Sequence, residues 1–156
     1  MKITTVTLAT ALALAGSGNA AHADILAAKA RTDYFEVPDG IAPVPLDNKG
    51  NASLQFTTTK KGIVVITYNA ECSATGPAET WVGLEIRVNG KIINPKADME
   101  DFAFCSATNA TDSIYTAVTR QGFVKLGPGE HTVQVVVSKQ GVNDAYIDDG
   151  SIVVEN

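Results

Sequence analysis

Hydrophobic and polar residues alternate along most of the chain beyond Pro38. The alternation is clearest in Trp81–Val88, where one face carries Val82, Leu84, Ile86 and Val88. Asn89-Gly90 follows directly, and both residues tolerate a positive φ. This pattern predicts a strand that turns through a two-residue type I′ hairpin into residues 91–93.

Further short strands are predicted by the same period of two. They cover the segment around Leu54 and Phe56 and residues 63–68, 113–120, 122–126, 130–138 and 151–155. Residues 95–110 read as a polar loop, and the alanine-rich residues 24–31 are compatible with a short helix. About eight strands separated by Gly, Pro, Asn and Asp turns predict an all-β fold, an antiparallel β-sandwich of jelly-roll-like type or a barrel.

Residues 1–23 have the layout of a secretory signal peptide. Lys2 is followed by an apolar run over residues 6–15, and Ala21-His22-Ala23 forms an A-x-A cleavage site. The run is shorter than the roughly 20 residues that a membrane span needs. We therefore expect an extracellular or periplasmic protein with no membrane span, and a single mature domain over residues 24–156.

The net charge and the two cysteines limit the possible partners and bonds of the protein. Seventeen Asp and Glu against 12 Lys and Arg give a net charge of −5, which disfavours a nucleic-acid partner. Cys72 and Cys105 are the two cysteines of the chain. In an oxidising compartment an even pair predicts a disulfide, with two free buried thiols as the alternative.

Three segments carry a resemblance to a known family. The run from Phe56 to Tyr68, Leu84-Glu-Ile-Arg-Val-Asn-Gly90 and Val124-Lys-Leu-Gly-Pro-Gly-Glu-His-Thr-Val133 resemble, in this order, strands and turns of complement C1q/tumour-necrosis-factor-like jelly-roll domains. The closing residues 151–155 lack that family's aromatic-Gly-aliphatic ending. The resemblance implies a jelly roll and, since such domains are often trimers, a homo-oligomer.

A second resemblance lies around the two cysteines. Ala70-Glu71-Cys72, Ala103-Phe104-Cys105-Ser106 and Gly129-Glu130-His131-Thr132-Val133 resemble segments of uncharacterised secreted bacterial β-sandwich proteins. This resemblance implies no activity.

The sequence gives no catalytic residue set. His131 is the one histidine left after removal of the leader, it falls inside a predicted strand, and no G-x-S-x-G motif is present. Carboxylates on loops could still serve a polysaccharide hydrolase. The acidic candidates are Glu71, Glu79, Glu85, Asp98, Glu100, Asp101, Asp144, Asp148 and Asp149.

Aromatic and acidic residues supply the candidate binding groups. Trp81, Tyr115 and Tyr146, with Tyr34, are the aromatics that could stack on a sugar ring, although a single Trp is also a common core residue. Asp144, Asp148 and Asp149 could bind calcium through loop carboxylates, as could Asp98, Glu100 and Asp101. Neither cluster has the EF-hand order, and solvated acidic turns are the alternative.

The two functions that these observations leave open belong to different classes. The first is a secreted non-enzymatic binding or surface-interaction module for a carbohydrate or a protein, with no cofactor apart from calcium. The second is the secreted polysaccharide hydrolase that uses loop carboxylates. Apolar runs at residues 63–66 and 133–137 could also join subunits, or could simply be central strands.

Overall fold

A computed structural model describes residues 23–96, 99–107 and 114–156. It contains eleven strands, and no helix occurs among these residues. The strands are β1 (Ile25–Ala30), β2 (Phe35–Glu36), β3 (Ile41–Pro43), β4 (Leu54–Thr58), β5 (Gly62–Thr75), β6 (Trp81–Val88), β7 (Lys91–Ile92), β8 (Ala103–Ser106), β9 (Thr116–Leu126), β10 (Gly129–Gln140) and β11 (Asp144–Glu155).

The strands form two antiparallel sheets. The first sheet has the order β1-β11-β5-β9, with β2 paired to β11. The second has the order β3-β10-β6-β7, with β4 paired to β10 and β8 paired to β6. All the pairings are antiparallel. This confirms the predicted all-β antiparallel β-sandwich.

The core lies between the sheets because each long strand points its apolar residues one way. On β5 every second residue is buried in the core, namely Val64, Ile66, Tyr68, Ala70, Cys72 and Ala74. Ser73 is also buried, but it lies on the opposite face of the strand. On β6 and β10 the alternate positions Val82, Leu84, Ile86, Val88, Val133, Val135 and Val137 are buried in the same cluster. The period of two that the sequence shows is therefore the division between core and outer face.

Two local expectations were wrong. Residues 24–31 do not form a helix: β1 (Ile25–Ala30) pairs with β11, because a full row of hydrogen bonds to a neighbouring strand outweighs the weak helical preference of alanine. The predicted loop over residues 95–110 contains β8, which pairs with β6. The strand count also exceeds eight. Strands β1, β2, β3 and β8 were not predicted, whereas the strands predicted over residues 113–120 and 122–126 are the single strand β9.

The predicted disulfide is confirmed. Cys72 and Cys105 are bonded, with their Cα atoms 6.1 Å apart. Cys72 lies in β5 of the first sheet and Cys105 in β8 of the second, so the bond joins the two layers of the sandwich.

The predicted leader at residues 1–23 lies outside the described residues except for Ala23. In the described ranges no helix is long and apolar enough to span a membrane.

Candidate ligand-binding site

Three tyrosines gather on the outer face of the first sheet. Tyr146 of β11 pairs with Ser73 of β5, and on the other side of β5 Cys72 pairs with Thr116. Tyr115 precedes Thr116, so the register brings it beside Ser73 as well. The Tyr34 ring meets the Tyr146 ring edge-on, with centroids 6.3 Å apart. We call this group, Tyr34, Tyr115 and Tyr146 with Ser73 between the last two, the tyrosine face.

The rings of the tyrosine face are open to solvent. Tyr34 is 64% exposed and Tyr115 is 41% exposed, while Tyr146 is half-buried. Each ring offers a flat apolar surface together with a phenolic hydroxyl at its tip. The arrangement can hold a ligand that has both an apolar face and polar edges.

Two carboxylates lie in the next row of the same face. Asp148 of β11 pairs directly with Glu71 of β5, and both side chains are half-buried. The pKa of Tyr115 is raised, chiefly by burial and then by the negative charge of Asp148, with Tyr146, Glu71 and Tyr34 contributing in the same direction. The face therefore combines aromatic rings with a negative electrostatic potential.

The hydroxyl of Ser73 sits unused at the centre of this arrangement. Ser73 is 1% exposed, and its Oγ has no hydrogen-bond partner in the part of the chain that the structure describes. A buried hydroxyl without a partner costs about 1–3 kcal/mol. A ligand on this face would supply the missing hydrogen bond by displacing the groups that cover Ser73.

Trp81 does not belong to this group. It lies on β6 in the second sheet, and its Nε1–H donates a hydrogen bond to the carbonyl oxygen of Met99 at 3.3 Å. The side chain is half-buried beneath the segment that contains Met99. The structure thus separates the three aromatics that the sequence proposed, placing Tyr115 and Tyr146 together and Trp81 on the opposite sheet.

The outer face of the second sheet has a groove of about 440 Å³ with polar walls. Glu85 is 3% exposed there, and its Oε2 lies 2.6 Å from Nη2 of Arg87. Gln140 Nε2 donates to Ser138 Oγ at 2.6 Å. Because these groups already satisfy one another, the groove offers a ligand less than the tyrosine face does.

His131 is held by the protein on both ring nitrogens. Its Nδ1 lies 3.1 Å from Asn89 Nδ2, and its Nε2 lies 3.2 Å from Thr58 Oγ1. Its ring also packs on Phe56, with centroids 5.4 Å apart. The hydroxyl that contacts its Nε2, that of Thr58, belongs to a residue only 2% exposed. The residue acts here as a connector between β10, β4 and the β6–β7 turn.

The described acidic residues do not come together as a group that could bind calcium. In residues 23–96, 99–107 and 114–156 no group of three or more His, Cys, Asp or Glu side chains could hold a metal ion. Asp148 Oδ1 instead accepts a hydrogen bond from the backbone N–H of Asp149 at 2.9 Å, where the strand bulges and Asp149 has a φ of 45°. Of the second predicted cluster, Asp98 lies outside the described residues.

The sequence predicted Tyr115 and Tyr146 as candidates, and it did not indicate Ser73 or the pairing of Glu71 with Asp148. The available signal was the alternation on β5, which puts Glu71 and Ser73 on the side opposite the core residue Cys72. No pattern along a single strand shows which residues of β9 and β11 lie beside them.

No protein-family model matches the sequence, and no curated protein matches it. Among solved structures, the chain is similar to the C-terminal domain of EclA, described as a sugar-binding protein, with 21% identity, 86% of each chain covered and a TM-score of 0.40. It is also similar to the carbohydrate-binding module CBM6cm-2 from Cellvibrio mixtus lichenase 5A in complex with cellotriose, with 13% identity, 87% and 90% coverage and a TM-score of 0.39. A structure of infectious bursal disease virus, Gx strain, aligns with 13% identity, 86% of this chain, 32% of the viral chain and a TM-score of 0.44. None of the three is named as a C1q or tumour-necrosis-factor domain, and likenesses at this level carry no argument about the ligand.

Proposed function

We propose that the chain is a non-enzymatic binding module that holds a glycan on its tyrosine face. The observation that carries this proposal is the convergence of Tyr34, Tyr115 and Tyr146 from three separate segments onto one exposed surface. Folded monomers rarely expose a contiguous aromatic surface to water, and such a surface usually marks a site of interaction.

The chemistry of the face suits a sugar. The C–H side of a pyranose ring is apolar and stacks on aromatic rings, while its hydroxyls donate hydrogen bonds to carboxylates such as Glu71 and Asp148. The face is an open sheet surface. It suits a few sugar units of a glycan chain better than a small molecule, which binds in an enclosed pocket. The net negative charge of the protein opposes a nucleic-acid ligand.

The geometry gives no support to hydrolysis. Glu71 and Asp148 stand side by side on one sheet face, whereas a glycosidase places its two carboxylates on either side of the scissile bond. A protein ligand on the same rings is the other binding class, and a glycan array alongside pull-downs distinguishes the two.

The test compares aromatic substitutions on the two sheets. Tyr115→Ala and Tyr146→Ala should each weaken binding to an array-selected glycan by about tenfold or more, while Trp81→Phe should leave it unchanged. Isothermal titration calorimetry gives the affinities, and circular dichroism confirms folding. Loss of binding in Trp81→Phe alone, or turnover of the glycan, would show that the site or the class is wrong.

We also propose export with cleavage after Ala23, supported by the layout of residues 1–23 and by the disulfide. Mass spectrometry of protein collected outside the cytoplasm should give Asp24 as the first residue. A mature protein that still starts at Met1 would contradict this.

A further inference from the structure

We infer that the tyrosine face prefers glycans that carry free, protonated amino groups over neutral and acidic glycans. The inference rests on the proposed function and names the ligand class of the same site. It follows from the charges, the hydrogen-bonding groups and the rings that meet around Ser73.

The charges at this end of the first sheet are mostly negative. Glu36 pairs with Tyr146 from one side, and Asp148 with Glu71 forms the adjoining row. The nearby cation is Arg31, whose guanidinium is already engaged: it donates to the carbonyl oxygen of Tyr34 and lies 5.6 Å from the Phe35 ring centroid. Three carboxylates against one engaged guanidinium leave a surface that attracts a cation and repels an acidic sugar.

The carboxylates of the face are hydrogen-bond acceptors. Ionised Glu71 and Asp148 can only accept hydrogen bonds, and the unpartnered Ser73 Oγ has free lone pairs. An ammonium group has three donors and no acceptor, so it can serve both carboxylates and the serine at once. The hydroxyl group of a neutral sugar has one donor only. The acetamide group of an acetylated sugar has a carbonyl oxygen, which the carboxylates would repel.

The rings add to the same preference. The face of a tyrosine carries negative quadrupole charge and attracts an ammonium group placed over it. Tyr146 and Tyr115 lie on either side of the buried Ser73, about two strand spacings or 10 Å apart at the backbone, so a bound amino sugar would lie over this row of residues.

The second sheet provides an internal contrast. Glu85 is also a carboxylate on the outer face of a sheet, but Arg87 neutralises it through the 2.6 Å ion pair. In the part of the chain that the structure describes, neither Glu71 nor Asp148 forms an ion pair with a basic side chain. Glu71 and Asp148 can therefore pair with an incoming cation, whereas Glu85 is already paired.

A matched ligand series tests the preference. Calorimetry at about pH 6, where a sugar amine is protonated, compares a glucosamine hexamer with an N-acetylglucosamine hexamer, which differs only in acetylation of the amines. We expect the free amine form to bind about tenfold tighter, and its advantage to shrink as NaCl is raised to about 1 M, since salt screens the carboxylates.

The outcomes separate this inference from the proposed function. Equal or tighter binding of the acetylated hexamer would overturn the preference and leave the glycan-binding function standing. Binding of hexalysine as tightly as the glucosamine hexamer would overturn it by showing a site for any polycation or basic peptide. Binding of no glycan at all would remove both.

Variants locate the effect. Glu71→Gln with Asp148→Asn should abolish the tenfold advantage. The control, Glu155→Gln with Glu130→Gln, makes the same charge change at the far end of this face and on the other sheet, and it should preserve the advantage.

Ser73→Ala should lower the affinity for the glucosamine hexamer several-fold while the midpoint of urea unfolding stays the same or rises, since the variant removes an unpartnered buried hydroxyl. Unchanged affinity in Ser73→Ala, or retention of the advantage in the carboxylate variant, would overturn the inference.

Discussion

The backbone of Met99 lies directly over Gly83 on the outer face of the second sheet. A methyl carbon placed on Gly83 would come 2.2 Å from the carbonyl oxygen of Met99 and 2.7 Å from its Cβ. The same carbonyl accepts the indole N–H of Trp81, two residues earlier on β6. Glycine at this position allows the segment to approach the sheet, and Trp81 holds it there.

Gly83→Ala should therefore destabilise the protein by about 1–3 kcal/mol, because the backbone above residue 83 must move away. Urea unfolding measures the loss, and the fluorescence of Trp81 should shift to the red as the segment lifts. The matched control is Gly127→Ala, since nothing lies within 4 Å of a methyl carbon placed there. Equal unfolding midpoints for the two variants would contradict the prediction.

The disulfide should account for a large part of the stability. Cys72 and Cys105 are 33 residues apart, and closing a loop of this length lowers the entropy of the unfolded chain by an amount worth about 3–4 kcal/mol. We expect Cys72→Ser with Cys105→Ser to unfold at a correspondingly lower urea concentration. Wild-type protein treated with a reductant before unfolding should behave like the double variant, and a loss below about 1 kcal/mol would show that the bond constrains little.

The fold could be predicted where one strand alone carries the signal. The alternation in β6 and the Asn89-Gly90 turn are local features, and the structure has both, with Asn89 at φ 51° and Gly90 at φ 76°. Strand β1 could not be predicted, because its alanine-rich sequence becomes a strand only by pairing with β11, the last strand of the chain.

The site was harder to predict for the same reason. Tyr115 and Tyr146 were identified singly, but their proximity depends on the registers of β9 and β11 against β5, which are set by core packing between distant segments. Ser73 looks like any other serine until both neighbours are in place. Trp81, the other stacking candidate and equally a candidate core residue, lies on the second sheet, and the sequence does not show which sheet a strand joins.

Asp47 should make the protein sensitive to acid. Lys29 Nζ donates to Asp47 Oδ2 at 2.7 Å, and Asn51 donates to the same carboxylate, so the pKa of Asp47 is held well below its usual value, chiefly by Lys29. The unfolded chain binds a proton at about pH 3.9, while the folded chain does so only at lower pH. The stabilisation is therefore present above about pH 4 and is lost as the pH falls further.

Asp47→Asn removes this dependence. Between about pH 6 and pH 3 the urea midpoint of the wild type should fall more than that of the variant. Asp39→Asn, at a highly exposed aspartate, serves as the control and should follow the wild type. A variant that loses as much stability as the wild type over this interval would argue against the role of Asp47.

Tyr68 should confer the opposite sensitivity, to alkali. Its side chain is 2% exposed, and burial raises the pKa of its phenol well above the usual value, with Arg31 opposing the rise. The unfolded chain releases this proton near pH 10 and the folded chain only at higher pH, so the stabilisation is complete below about pH 10 and is lost above it.

Tyr68→Phe keeps the ring that packs on Phe104, with centroids 6.0 Å apart in the wild type, and removes the titrating group. We expect stability to decline less steeply above pH 10 in the variant, and the tyrosinate absorbance that distinguishes the two proteins to appear only as the circular dichroism of the sheets is lost. If that absorbance develops while the wild type is still folded, the phenol of Tyr68 is reached by solvent in the native state and its burial does not control alkaline unfolding.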